Sequence, residues 1–263
     1  MKYRESDNLQ TFGEHLEVLR KMLFRIVLLS FSIAFVVFFF KKKIFEYLLA
    51  PCSSDFFTFD FVNKTLALFG GSSQIYGNQM ELIATDLPSQ FLAHMSMSLY
   101  IGILLTSPYI IFELFRYISP ALYENEKRYS LRVAVMTYSL FIIGLLISYF
   151  VLFPISYRFL ASYSVSEHVR TMVTLDSYIS TFVSLTFLMG LVFQLPVLSF
   201  FLTKMRIIDS TVMTEYRKHA FVLILIIAAI ITPPDVMTLI LVSFPLYILY
   251  ELSIIVVKLA EKK

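Results

Sequence analysis

Tryptophan is absent, cysteine occurs once (Cys52), and only seven of the 263 residues are glycine. A single thiol excludes a disulfide framework and a cysteine-built metal cluster, and so few glycines leave little room for loops that cradle phosphates. Charge is also scarce. Asp, Glu, Lys and Arg make up 16% of the chain, against about a quarter in soluble domains. The net charge of +3 is too mild to argue for nucleic acid as a partner. There is no G-x-x-x-x-G-K-[ST], no H-E-x-x-H and no G-x-S-x-G, so a P-loop, a zincin protease and a nucleophile elbow all drop out. His15, His94, His168 and His219 fall at different depths of the span map below and are a poor fit to a bis-histidine haem. Neither a cofactor nor an enzymatic activity is expected.

Apolar residues are abundant, at 58%, and the mean hydropathy is +0.75, the composition of a membrane protein. A bilayer core about 30 Å thick takes roughly 20 helical residues. Met22–Phe40 is apolar apart from Arg25, while Leu87–Phe112, Val133–Tyr157 and Ser177–Thr203 contain no charged residue. A last apolar stretch, His219–Val257, is broken by Thr232-Pro233-Pro234-Asp235. Proline cannot continue a helix there, so the stretch reads as a helical hairpin. The charge-free run 220–234 covers only about 22 Å and falls short of the hydrocarbon thickness.

The fold expected is therefore an all-α integral membrane protein of six transmembrane helices, at about 22–40, 91–115, 131–155, 177–203, 219–233 and 236–257. They form a single membrane domain over 1–263, with a short fifth span and a long outer loop at about 44–90. Lys and Arg gather in the N-terminal segment, in the 116–132 and 204–218 connections and in the tail, which places both termini in the cytoplasm. The triplet Lys41-Lys42-Lys43 runs against that pattern. No cleavable signal peptide is expected, and no internal repeat supports an inverted-repeat transporter.

Polar residues inside the spans are costly and draw attention. Gln194 sits within the fourth span and is followed by Pro196, whose missing amide frees a carbonyl. A kinked helix with one interhelical hydrogen bond explains the pair equally well. Glu251 lies in the last span, where snorkelling or pairing with Lys258 is the plainer account, and Asp235 sits at the hairpin tip, where it suits turn chemistry. A second group belongs to the cytoplasmic face. Pro108 to Arg128 is an aromatic-rich stretch carrying Glu113, Glu124 and Glu126, and Phe12 to Lys21 carries Glu14 and Glu17. Carboxylates beside aromatic rings suit a guanidinium ligand, through bidentate hydrogen bonds and cation–π contact. Solvated loop charges would produce the same pattern.

Several ordered landmarks then resemble the TatC family, the polytopic subunit of the twin-arginine translocase. They are His15-Leu16-x-x-Leu19-Arg20, Thr85-Asp86-Leu87-Pro88, Ile118-Ser119-Pro120-Ala121-Leu122-Tyr123-x-x-Glu126-Lys127-Arg128, Phe193-Gln194-Leu195-Pro196-Val197, Thr232-Pro233-Pro234-Asp235 and Pro245-Leu246-x-x-Leu249-Tyr250-Glu251. The resemblance implies a multi-pass receptor in the bacterial plasma membrane that binds twin-arginine signal peptides of folded proteins. It also implies TatA/TatB-type single-span partners, contact with membrane lipid, a homo-oligomer within a receptor complex and transport driven by the proton-motive force.

By position the resemblance makes Glu126 the acid that receives a signal arginine, with Tyr117 where the family usually has Phe. Arg20 and Arg128 belong to the same two motifs and complete the expected binding set with Glu17 and Glu14. The family's N-terminal acid would fall at position 18, which is Val18 here. Glu17 is displaced from it by about 100° around a helix, and Glu14, one turn earlier, lies on nearly the same face as position 18. Gln194 stands where many members have Glu, so it can act only by hydrogen bonding. With Pro196, Asp235 and Glu251 it forms the expected partner-helix set. The alternative function is a small-solute or ion transporter using Gln194, Asp235 and Glu251.

Overall fold

The structure is a computed structural model and describes residues 12–53, 56–59, 63–64, 82–118, 130–164, 166, 168, 171–232 and 235–261. The helices are α1 (Phe12–Phe38), α2 (Lys41–Leu49), α3 (Ser89–Ile118), α4 (Ser130–Ile147), α5 (Phe153–Ser162), α6 (Leu175–Val192), α7 (Leu195–Lys204), α8 (Ser210–Glu215), α9 (Arg217–Ile231) and α10 (Val236–Glu261). A π-helical segment, Ser148–Leu152, joins α4 to α5. Two short strands, β1 (Leu82–Ile83) and β2 (Val173–Thr174), pair in parallel with Leu82 opposite Val173.

Among the described residues, five helical stretches are long and apolar enough to cross a bilayer: Leu16–Phe38, Ser89–Leu114, Val133–Ser162, Leu175–Lys204 and Val236–Glu261. The remaining span is α9, whose 15 residues reach about 22 Å. Its end is set by the next residues. Thr232 takes an extended conformation, with φ −95° and ψ 156°, as expected of a residue that precedes proline. The chain is thus a six-span helical membrane protein with a short fifth span.

At two prolines inside the spans, hydroxyls take over the carbonyls they free. Pro108 interrupts the ladder of α3 at Leu104 O, and Ser107 Oγ donates to that oxygen at 2.6 Å. Pro154, in the first turn of α5, leaves Phe150 O without its helical donor inside the π-helical segment, and Thr58 Oγ1 donates to it. The π geometry therefore sits where the missing amide loosens the helix. Pro196 is placed in the first turn of α7, where its lacking N–H costs nothing.

The chain divides into two compact units, Met1–Phe39 with Ser98–Val135, and Phe40–Met97 with Met136–Lys263. In the first, α1 meets the later part of α3 at Ala34 and Gly102; along α1, Met22, Ser30, Ala34 and Val37 are buried, while Phe24, Phe31 and Phe35 are exposed. Small residues allow the close crossing, since a Cβ on Gly102 would lie 2.7 Å from Ala34 Cβ. The second unit is built on aromatic packing. Phe153 is fully buried, with the Tyr178 and Phe182 rings edge-on at 5.0 Å. Helix α10 packs along α7 and α9 in the same unit.

Candidate functional site

In the first unit, Glu17, Lys21 and Arg25 follow one another at four-residue spacing along α1, so they form a stripe on one face. Lys21 Nζ lies 2.7 Å from Glu17 Oε1, with both side chains well exposed. Arg25 Nη1 is 3.5 Å from Glu113 Oε1 on α3, and Tyr109 OH donates to the same oxygen at 2.9 Å. Glu113 is only 3% exposed. Arg25 also donates from Nε to Lys21 O at 3.4 Å. Tyr109, Glu113 and Tyr117 share the i, i+4, i+8 stripe of α3, with Tyr117 half-buried. A recess is lined by Arg20, Lys21, Phe24 and Arg25. Glu126 and Arg128 lie outside the described residues, as does the side chain of Glu14.

The second unit holds the other polar set. Gln194 occupies the turn between α6 and α7, and its Nε2 donates to Thr137 O on α4 at 3.3 Å and to Gly190 O at 3.4 Å. That interhelical bond is the arrangement the kinked-helix reading describes. Pro196 is buried in the first turn of α7. Asp235 Oδ1 accepts from the Thr238 N–H at 2.7 Å and so caps α10. Glu251 binds not Lys258 but Arg217, whose Nη2 is 2.8 Å from Glu251 Oε2. Tyr247 OH donates to the other oxygen at 3.2 Å. Lys258 is two turns along the same helix, about 10 Å from Glu251 along the axis, whereas Arg217 opens the antiparallel α9. Glu251 thus ties the two arms of the hairpin together.

Sequence reasoning noted Glu113 within an aromatic stretch but assigned it no role. The signal was available in Arg25, the only charge in the first apolar run, matched by Glu113 at the end of the second. Two opposite charges at the margins of neighbouring spans are each cheaper to bury when paired.

The fold defines a polytopic, helical membrane protein in which, among the described residues, Glu17, Glu113 and Glu251 are ion-paired and Asp235 caps a helix. The family described as Sec-independent protein translocase protein (TatC) matches residues 14–245. The chain is 33% identical over 264 residues to the Sec-independent protein translocase protein TatC of Blattabacterium sp. subsp. Periplaneta americana (strain BPLAN), covering 99% of each chain. It is 34% identical over 257 residues to TatCy of Bacillus subtilis (strain 168), covering 97% of this chain and 92% of that one. A solved crystal structure of the twin arginine translocase receptor TatC superposes with a TM-score of 0.74 at 30% identity, over 94% of this chain and all of the other. A second, in DDM, gives 0.75. The chain belongs to the TatC family, and it is a core subunit of the twin-arginine protein translocase, a transport component and not an enzyme.

Proposed function

We propose that the chain is the receptor that binds the twin-arginine signal peptides of folded proteins, in a bacterial plasma membrane with both termini cytoplasmic. The observation that carries this reading is the likeness over 94% of the chain, at 30% identity and a TM-score of 0.74, to a protein described as a twin arginine translocase receptor. The motif ending in Glu126-Lys127-Arg128 supports it from the sequence. One signal arginine docks on Glu126 beside Tyr117, with Arg20 and Arg128 shaping the surroundings and Glu17 or Glu14 as candidates for the other guanidinium. TatA/TatB-type helices engage the surface around Gln194, Pro196, Asp235 and Glu251, next to the short α9. Receptor copies assemble into a homo-oligomer surrounded by lipid, and the proton-motive force drives transport.

A charge-assisted hydrogen bond contributes roughly 1.5–3 kcal/mol, so losing Glu126 weakens signal binding by about one to two orders of magnitude. Site-specific cross-linking of a signal peptide to Glu126→Ala and Glu126→Lys, both inserted normally, is expected to disappear. Undiminished cross-linking removes Glu126 from the pocket.

A further inference from the structure

We propose that Glu113, rather than Glu17 or Glu14, is the second carboxylate of the guanidinium site, and that Arg25 occupies it as a resident placeholder until a signal arginine replaces it. The inference rests on the receptor reading above. It starts from the vacancy at position 18, where Val18 offers no charge. The nearest acid in sequence, Glu17, is exposed and already held by Lys21 at 2.7 Å. An exposed pair of this kind contributes little and is a weak anchor for a ligand. Glu113 is different: its side chain is 4% exposed, and Tyr109 holds one of its oxygens. A carboxylate fixed in that way and shielded from water is a strong acceptor for a cation.

Arg25 is a poorly seated occupant. Its contact with Glu113 is a single approach at 3.5 Å, and its side chain is 47% exposed. A well-made guanidinium–carboxylate fork has two bonds at about 2.7–2.9 Å. Its Nε is meanwhile turned to Lys21 O. Burying Glu113 with no cation would be expensive, so Arg25 keeps the empty site neutral. Exchanging Arg25 for a ligand guanidinium leaves the charge unchanged, and it lets the ligand make the fork that Arg25 does not. Arg25 then swings outward from α3, toward the side on which about half of it is already exposed.

The recess lined by Arg25, the residue paired with Glu113, also has Phe24 in its lining, 68% exposed and so available to a guanidinium. Of its three cations, Lys21 is neutralised by Glu17 and Arg25 by Glu113. Tyr117 stands one turn beyond Glu113 on the same stripe of α3. A signal arginine that passes Tyr117 therefore reaches Glu113 one turn deeper along α3. Lysine cannot replace the deeper arginine, because its compact ammonium cannot form the planar fork.

The test is titration of the full-length chain in nanodiscs with a synthetic twin-arginine signal peptide and its Lys-Lys counterpart. Glu113→Gln is expected to lose about tenfold in Arg-Arg affinity and to approach the Lys-Lys value, the size of one charge-assisted bond. Glu17→Gln should stay within about twofold, as for an exposed pair. Arg25→Gln should tighten Arg-Arg binding, and that gain should vanish when combined with Glu113→Gln. Arg25→Lys retains a cation on Glu113 and guards against misfolding; it too should bind the Arg-Arg peptide more tightly. Wild-type affinity for Glu113→Gln and for both Arg25 variants overturns the proposal, as does a loss confined to Glu17→Gln. If Glu126→Ala weakens binding while Glu113→Gln does not, only this inference fails. If neither variant changes binding, the receptor reading fails with it.

Discussion

Ion pairs at the level of single residues decide how the polar groups of this chain are tolerated. Glu251 and Arg217 are partly exposed, at 33% and 42% of their side chains, yet meet at 2.8 Å with Tyr247 as a second donor. Their coupling is expected to be about 1 kcal/mol, between a surface pair and a buried one. A double-mutant cycle of Arg217→Ala and Glu251→Ala, read by thermal unfolding in detergent, measures it, and additive losses would show that the pair does nothing. Asp235 acts on its own helix. Asp235→Ala should cost about 1 kcal/mol as a lost N-cap, with Asp235→Asn close to wild type. Equal losses for the two variants would point instead to the charge. The sequence marked both acids as unusual but could not say what they touch. Local spacing offers Glu251 only Lys258 or the membrane surface, whereas its partner, Arg217, lies 34 residues away on a different helix.

Whole helices were legible to the extent that charge marks the membrane. The long apolar runs, three of them free of charge, locate five long spans and the short α9, and the Thr232–Asp235 break falls where α9 ends. The helices continue past the apolar runs, with α1 starting at Phe12 and α3 reaching Ile118, because a helix needs no apolar side chains once outside the bilayer. The π-helical segment at Ser148–Leu152 was not legible, since it depends on Thr58 supplying the donor that Pro154 lacks. Helix crossings were equally hidden. A Cβ on Gly144 would meet Met189 O at 2.8 Å, and one on Gly190 would meet the Phe141 ring at 2.7 Å, so α4 and α6 approach through reciprocal glycines. Gly144→Ala and Gly102→Val are each expected to destabilise by about 1–3 kcal/mol through overpacking. Chemical unfolding in detergent would read this, and unchanged midpoints would mean that the crossings are looser than described.

The molecule as a whole combines long spans with one that is too short for an average bilayer. A span of about 22 Å against a hydrocarbon core of about 30 Å is accommodated by local thinning or by a neighbour that covers its ends. Thermal stability of the full chain in nanodiscs of increasing acyl length should therefore peak in thin bilayers. A steady rise with thickness would contradict that account. Composition, span count and family motifs made the class of the molecule readable before any coordinates. The sequence shows Arg25 and Glu113 as charges at the margins of two spans, and their pairing follows once α1 and α3 are brought together. The central claim is that this chain grips an arginine doublet, and co-purification with a twin-arginine precursor tests it most directly. The account predicts retention of the Arg-Arg precursor and loss of the Lys-Lys form; equal retention of both would contradict it.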